Sequence, residues 1–472
     1  MDRLLLCGLA AAVALTGQDA MGQNCIARAR PGEVPHLDRS SPLAALGVRE
    51  VRKTVQFELA DAELAAALGL DRYYTLELEA GRDAATTAAG IARLTTWFET
   101  VEVERPGGIA DVFPSDPMFA SQWALHNRGQ GTGCGSGLTG IATTQGGGFD
   151  INAPEAWGLW RAVEGVRVAV LDSGISPHPD LPPLKPGWAH DGGSVDDQCN
   201  HGTHVAGIIA AVPSNGVGIA GIAWGAKLVP VRVLSGCTGT DVNYGLGLLW
   251  AADRADIANS SLQYYNPGSF MHNAVLYAAG QGLVMVAASG NWASTVAYPA
   301  RWPEVIAVGA TDHRDERPAF SNMGPEVDFC APGDDVLSLS TGASGAPPRY
   351  MCMSGTSMAS PHIAGAVALI RMQDRSADEA WIRRVLIGSA RDLGTPGHDP
   401  GSGWGRLDLA GAMSLQACYA DADLSGEVNS KDVLRFHERH TKHHPYADVN
   451  DDGVWDQADV LLWQGMYAAG CP

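Results

Sequence analysis

Val166-Arg167-Val168-Ala169-Val170-Leu171-Asp172-Ser173-Gly174 is the stretch on which the fold turns. Its first six residues are β-branched and mostly apolar, as in a strand buried within a parallel sheet, and they run straight into a carboxylate. Asp172 is therefore expected at the carboxyl end of a strand. Further on, Asn200-His201-Gly202-Thr203-His204-Val205-Ala206-Gly207 opens a small-residue, apolar helical run. Gly355-Thr356-Ser357-Met358-Ala359-Ser360-Pro361-His362 precedes another, Ile363 to Ile370. In open α/β sheets, strand ends and helix starts of this kind converge on one crevice. The expected fold class is α/β with a mostly parallel central sheet.

Taken singly, these residues are ordinary. An Asp after a strand caps a turn, a His is a satisfied polar group, and a Gly-x-Ser is a turn. Together they supply a reaction. A neutral serine hydroxyl is a poor nucleophile and needs a base; the base needs an orienting acid. Ser357 at a helix start would also have unpaired backbone N–H groups beside it, which favour developing negative charge. A fourth segment, Ala287-Ala288-Ser289-Gly290-Asn291, follows the strand-like run Leu283 to Val286 and adds an amide. The chain order Asp…His…Ser is one of three convergent orders known for such triads.

The motifs around Asp172 (Val-Leu-Asp-Ser-Gly-Ile), His201 (His-Gly-Thr-His-Val-Ala-Gly) and Ser357 (Gly-Thr-Ser-Met-Ala-Ser-Pro-His) resemble the three signatures of the subtilisin-like serine proteases, over about Asp116 to Met413. The resemblance implies a three-layer subtilisin-like fold and peptide-bond hydrolysis through an acyl-enzyme. Asp172, His201 and Ser357 would form the triad, with Asn291 and the Ser357 N–H as the oxyanion hole. It implies that Ser261, Leu262, Ala288, Ser289 and Gly290 pair with substrate backbone and wall a side-chain pocket floored by Ala297. A small apolar floor without a carboxylate favours apolar or medium-sized substrate side chains over Arg or Lys. Gln263-Tyr264 stand where relatives usually have Gly-Gly, and the stretch from Asn291 to Ala297 is shorter than in many of them. His204 and His362 match no catalytic position and read as structural. Asp116, Asp180 and Asn215 match a strong calcium site of many relatives, built from the hard oxygen ligands that Ca2+ requires. Asp328 is a candidate for a weaker one.

Composition agrees with an extracellular, multidomain enzyme. At 472 residues, 46% of them hydrophobic, the chain can bury a large core. A net charge of −20 argues against nucleic acid or an anionic membrane as partner. Leu4 to Thr16 is apolar but too short for a bilayer span, and Ala20-Met21-Gly22 offers a small-x-small cleavage site, so 1–22 reads as a secretory signal. No later stretch is long and apolar enough to span. Nine cysteines fit an oxidising compartment. By resemblance Cys199 and Cys237 match a disulfide of some secreted relatives; Cys330 and Cys352 are candidates to pair, Cys418 and Cys471 bracket the last module, and the pairing of Cys25 and Cys134 stays open. Residues 23–110, with strand-like Tyr73 to Leu78, a helical Ala84 to Phe98 and a strand-like Val101 to Glu104, resemble an inhibitory propeptide of small α/β fold. The peptidase domain would span 111–416.

Residues 417–472 carry duplicate twelve-residue loops, Asp421 to Asp432 and Asp448 to Asp459. Oxygen side chains fall at Asp421, Asp423, Ser425, Asn429 and Asp432 and again at Asp448, Asn450, Asp452, Asp456 and Asp459, with Gly426 and Gly453 at the sharp turn. Asp at the last loop position and a helix after each loop resemble the small all-α dockerin repeat, which implies bound Ca2+ and a cohesin-type partner in polysaccharide-degrading assemblies. Ser430-Lys431 and Gln457-Ala458 differ from the Ser-Thr often found at dockerin recognition positions, and a calcium-stiffened appendage is the other reading. His437, His440, His443 and His444 read as a solvated linker between the loops. For the whole chain, the rival to a secreted endopeptidase acting on protein or peptide substrates is a catalytically silent scaffold assembled through this tail.

Overall fold

The computed structural model describes residues 25–31, 33–35, 37, 41–54, 66, 70–79, 84–94, 97–103, 111–130, 147–159, 165–341, 349–417, 419–420, 422, 428, 430–449 and 454–469. The expected signal, 1–22, lies outside them. The chain divides into two compact units, Met1–Gly108 and Ile109–Pro472.

The first unit is a small α/β body. Strands β1 (Cys25–Ala29), β2 (Val48–Lys53), β3 (Tyr73–Leu78) and β4 (Phe98–Val103) form an antiparallel sheet in the order β2-β3-β1-β4. Helix α1 (Pro42–Ala45) and helix α2 (Ala84–Leu94) accompany it among the described residues. Leu76, Ile91 and Phe98 share its core. Phe98, which helical spacing assigned to the helix, begins β4 instead.

The second unit opens with helix α3 (Ala153–Leu159) and is organised around a seven-stranded parallel sheet. Its strands are β5 (Arg167–Asp172), β6 (Trp188–Ala189), β7 (Lys227–Arg232), β10 (Ile257–Ser260), β11 (Val284–Ala288), β12 (Val305–Thr311) and β13 (Phe329–Pro332). They lie in the order β13-β12-β11-β10-β5-β7-β6. Between them fall helix α4 (Gly202–Ala210), the short hairpin β8 (Leu234–Ser235) and β9 (Thr238–Gly239), helix α5 (Asp241–Ala251) and helix α6 (Ser269–Gly280). Beyond β13 come the hairpin β14 (Val336–Ser340) and β15 (Arg349–Met353), then helices α7 (Thr356–Gln373), α8 (Glu379–Ser389) and α9 (Leu409–Ala417).

Period-two alternation sends each strand's side chains to two cores. Val168, Val170, Val284, Val286, Ile306 and Val308 meet α4 and α7 on one face. Ala169, Leu171, Val229, Val231, Met285 and Ala307 meet α5 and α6 on the other. Strands covered on both sides must be continuously apolar, which is why β5 shows no polar alternation. The architecture is the three-layer α/β fold expected.

Helices α10 (Ser430–Thr441) and α11 (Gln457–Ala469) follow the two acidic loops. Phe436 stacks on Trp463 with ring centroids 4.3 Å apart. This pair belongs to the same apolar cluster as α7 and α8, continued through Tyr419 and Tyr446. Tyr419 and Tyr446 stack at 4.5 Å and each hydroxyl donates to the other's carbonyl at 2.5 Å. The histidines read as a solvated linker are more ordered than that: His437 and His440 lie on α10, and His444 packs against Trp404. Burial pushes the His444 pKa down to about 3.

Candidate active site

Asp172 ends β5 and is fully buried. His201 sits immediately before α4, and its Nδ1–H reaches Asp172 Oδ1 at 2.8 Å and Oδ2 at 2.9 Å. Burial disfavours the imidazolium, yet the charge and hydrogen bond of Asp172, with Asp197 beyond, outweigh it and hold the His201 pKa above its ordinary value. Asp197 escaped the sequence reading because nothing in its local sequence marks it. Its carboxylate accepts from Ser173 Oγ at 2.7 Å, Cys199 N–H at 2.9 Å and Thr203 N–H at 2.8 Å, tying the Asp172 turn to the start of α4.

Ser357 lies in the first turn of α7, where N–H groups lack intrahelical partners. Its hydroxyl donates to the carbonyl of Ser261 at 3.2 Å, and it lines one cleft with His201. Pro361 has no N–H to give the carbonyl four residues back, so Ser357's C=O is left free within the helix. Ser261 Oγ fills the gap at 2.7 Å, and behind it Asn259 Nδ2 donates to Ser261 Oγ at 3.1 Å. Ser360 Oγ in turn donates to Asn259 Oδ1 at 2.8 Å.

Asn291 follows β11. Thr356 N–H donates to Asn291 Oδ1 at 2.8 Å, and Thr356 Oγ1, which accepts from Gly290 N–H at 3.0 Å, donates to the same oxygen at 2.9 Å. A backbone N–H can only donate, so the amide orientation is fixed: Oδ1 faces Thr356 and Nδ2 is the free donor. Thr356 had not been singled out, although it stands beside the serine.

The cleft encloses roughly 350 Å³. His201, Ser261, Leu262, Gln263, Tyr264, Ala288, Gly290, Asn291 and Ser357 line it, with the Cys199–Cys237 disulfide at one edge, and among the described residues no Asp, Glu, Lys or Arg does. Ser289 and Ala297 are buried behind the wall, where Ala297 N–H donates to Ser289 C=O at 2.8 Å.

The Subtilase family pattern matches residues 163–405. The chain belongs to the subtilase family. It is 41% identical over 250 residues to Subtilisin Savinase of Lederbergia lenta, covering 52% of this chain and 90% of that protein. It is 37% identical over 279 residues to the Minor extracellular protease Epr of Bacillus subtilis, covering 58% and 42%. Among solved structures, a protease of Pseudoalteromonas arctica superposes with TM-score 0.55 at 31% identity, covering 65% of this chain and all of that one. As a subtilase the protein is a serine-type endopeptidase.

Other expected sites of this subtilase fare unevenly. Cys199 and Cys237 are bonded, with Cα atoms 5.1 Å apart. Cys330 does not pair with Cys352: Cys330 is a free, buried thiol in β13, while Cys352 is engaged in another disulfide. Cys134, Cys418 and Cys471 lie outside the described residues. His204 and His362 are core residues, their pKa values pushed by burial to about 3 and about 4.

Asp116 and Asp180 are both buried, and Asn215 joins them: its N–H donates to Asp116 Oδ1 at 3.2 Å and its Nδ2 to Asp180 Oδ1 at 2.7 Å. Asn215 Oδ1 is engaged by Val217 N–H at 2.8 Å. Burial pushes the Asp180 pKa up, and the nearby Asp116 adds to it. No ion pair to either aspartate is present among the described residues, so two buried carboxylates stand together, an arrangement that fits a hard cation. Asp328 does not: Arg383 pairs with it at 2.5 Å, and Ala307 N–H donates to it at 2.8 Å.

In the tail, Asp421, Asp423, Ser425, Asn429, Asn450 and Asp452 lie outside the described residues. Asp432 and Asp459, the last positions of the two loops, are fully buried, and Asp448 nearly so. Asp459 accepts from Val449 N–H at 2.7 Å and Asp456 N–H at 3.0 Å. Asp456 is exposed and accepts from Ala458 N–H at 2.7 Å. Among the described residues no three His, Cys, Asp or Glu side chains converge.

Proposed function

We propose that this subtilase is a secreted endopeptidase made as a proenzyme, with a signal at 1–22, a propeptide at 23–110, a peptidase domain at 111–416 and a dockerin-like module at 417–472. The supporting observation is the convergence of the Asp172–His201 pair, Ser357 and the free Asn291 Nδ2 on one cleft without charged walls. In the reaction, Ser357 Oγ attacks the scissile carbonyl and His201 Nε2 takes its proton. Asn291 Nδ2 and Ser357 N–H receive the oxyanion. His201 passes the proton to the leaving amine, and water, activated by the same imidazole, hydrolyses the acyl-enzyme. Asp172 holds the tautomer and stabilises the imidazolium. The uncharged walls favour apolar or medium-sized side chains before the cut bond.

Ca2+ held by Asp116, Asp180 and loop oxygens around Asn215 would neutralise two buried carboxylates. The duplicate loops of the tail would bind Ca2+ likewise, and a cohesin-type partner is the reading their likeness to dockerin repeats supports. The test compares wild type with Ser357→Ala. Only wild type should mature and react with a fluorophosphonate; an unprocessed, unlabelled wild type favours the silent scaffold instead.

A further inference from the structure

β10 and β11 are adjacent parallel strands, with Ser260 opposite Ala287. The segments leaving their carboxyl ends, Ser261 to Tyr264 and Ala288 to Asn291, face each other as the two walls of the cleft. A substrate side chain has to enter between them if its carbonyl is to reach Ser357 and Asn291. In this chain the gap is crossed. Gln263, on one wall, extends its amide oxygen to the N–H of Asn291 on the other at 3.0 Å. The same oxygen lies 3.0 Å from where a β-carbon on Gly290 would sit, so it occupies the space beside the pocket backbone. One residue further along each wall, Tyr265 and Trp292 stack at 4.8 Å with their planes 14° apart and tie the walls a second time.

We propose that Gln263 sets the substrate preference of this peptidase: it is a crossbar that shortens the side-chain pocket, so that bonds after Gly, Ala or Ser are cut in preference to bonds after Phe or Leu. A large apolar side chain must displace the crossbar, and it leaves the Asn291 N–H and the Gln263 amide without partners in a desolvated space. A small one need not. The proposal rests on Ser357 being the nucleophile of this cleft, and narrows its preference from apolar or medium-sized side chains to small ones.

The experiment measures kcat/KM on two peptide anilides that differ only in Ala or Phe before the cut bond, for wild type, Gln263→Gly and Gln263→Glu, with a separate aliquot of wild type tested for fluorophosphonate labelling. Wild type should prefer Ala. Gln263→Gly should raise the Phe-to-Ala ratio at least about tenfold, the scale on which pocket volume discriminates. Gln263→Glu keeps an acceptor of the same reach and should stay near the wild-type ratio. A wild type whose aliquot takes the label and which prefers Phe overturns the proposal. So does a Gly variant in which both rates fall together at an unchanged ratio, which would make Gln263 only a brace for Asn291. An unlabelled wild type overturns the nucleophile reading, and this proposal with it.

Discussion

Thr356 decides which end of Asn291 faces the substrate. Because its N–H can only donate, Asn291 turns Nδ2 to the cleft: Asn291→Ala removes that donor, together with the acceptor of two Thr356 hydrogen bonds, and should lower kcat by at least about 10²–10³, the scale known for loss of such a donor in subtilisin. Active-site titration separates that loss from misfolding. Asp172 acts through His201. The imidazole must be neutral to serve as a base, and Asp172 holds its pKa above the ordinary value, so activity should fall as pH drops through that raised pKa. Asp172→Asn should move this acid limb to lower pH and cut kcat by about 10⁴. A pH–rate profile reads both effects, and an unmoved limb would break the assignment. The pairing of Asp172 with His201, and the gathering of Ser357 and Asn291 in the same cleft, were legible in sequence because each residue's motif is local. Asp197, Thr356 and the crossing of Gln263 were not, since each acts on a residue that only folding brings near.

At the scale of elements, the site depends on how closely α4 and α7 approach the sheet. A β-carbon on Gly202 would stand 2.1 Å from the Gly174 carbonyl and 3.1 Å from Asp172 Cβ. Gly202→Ala must push the start of α4, and His201 with it, away from β5. Overpacking of this kind costs about 1–3 kcal/mol, so a lower Tm together with a lower kcat is expected. Ser261 serves α7 in the same way. Ser261→Ala leaves the Ser357 carbonyl that Pro361 cannot satisfy without its partner, at about 1–3 kcal/mol, and thermal melts should show it. The strand β5 could be read from its unbroken apolar run. The length of α2 could not, because Phe98 has helical spacing yet is taken by the sheet for its core.

Over the whole molecule, the C-terminal helices share an apolar core with the peptidase. Arg439 is nearly buried, donates to Gly388 C=O in α8 at 2.8 Å and lies 4.3 Å over the Tyr446 ring. Arg439→Ala should therefore lower the Tm of the mature protein by a few degrees in one cooperative transition. A separate early melt with the peptidase transition unmoved would mark the tail as an independent appendage. If Asp116 and Asp180 hold Ca2+ as proposed, chelation by EDTA should lower the Tm as well, by leaving the two buried carboxylates uncompensated, and Asp116→Ala should blunt that response. The sequence by itself determined the sheet class, the residues Asp172, His201, Asn291 and Ser357 that the fold gathers, and the duplicated loops, because each is written in contiguous residues whose spacing matches its element. It also proposed Asp328 for calcium and Cys330 for a disulfide, and both failed: Arg383 lies 55 residues from Asp328, and only the fold brings the two together. Which charges are neutralised, which thiol stays free, where Gln263 reaches and what the tail rests on were decided by tertiary structure, because partners far apart in the chain are chosen by packing and not by local pattern.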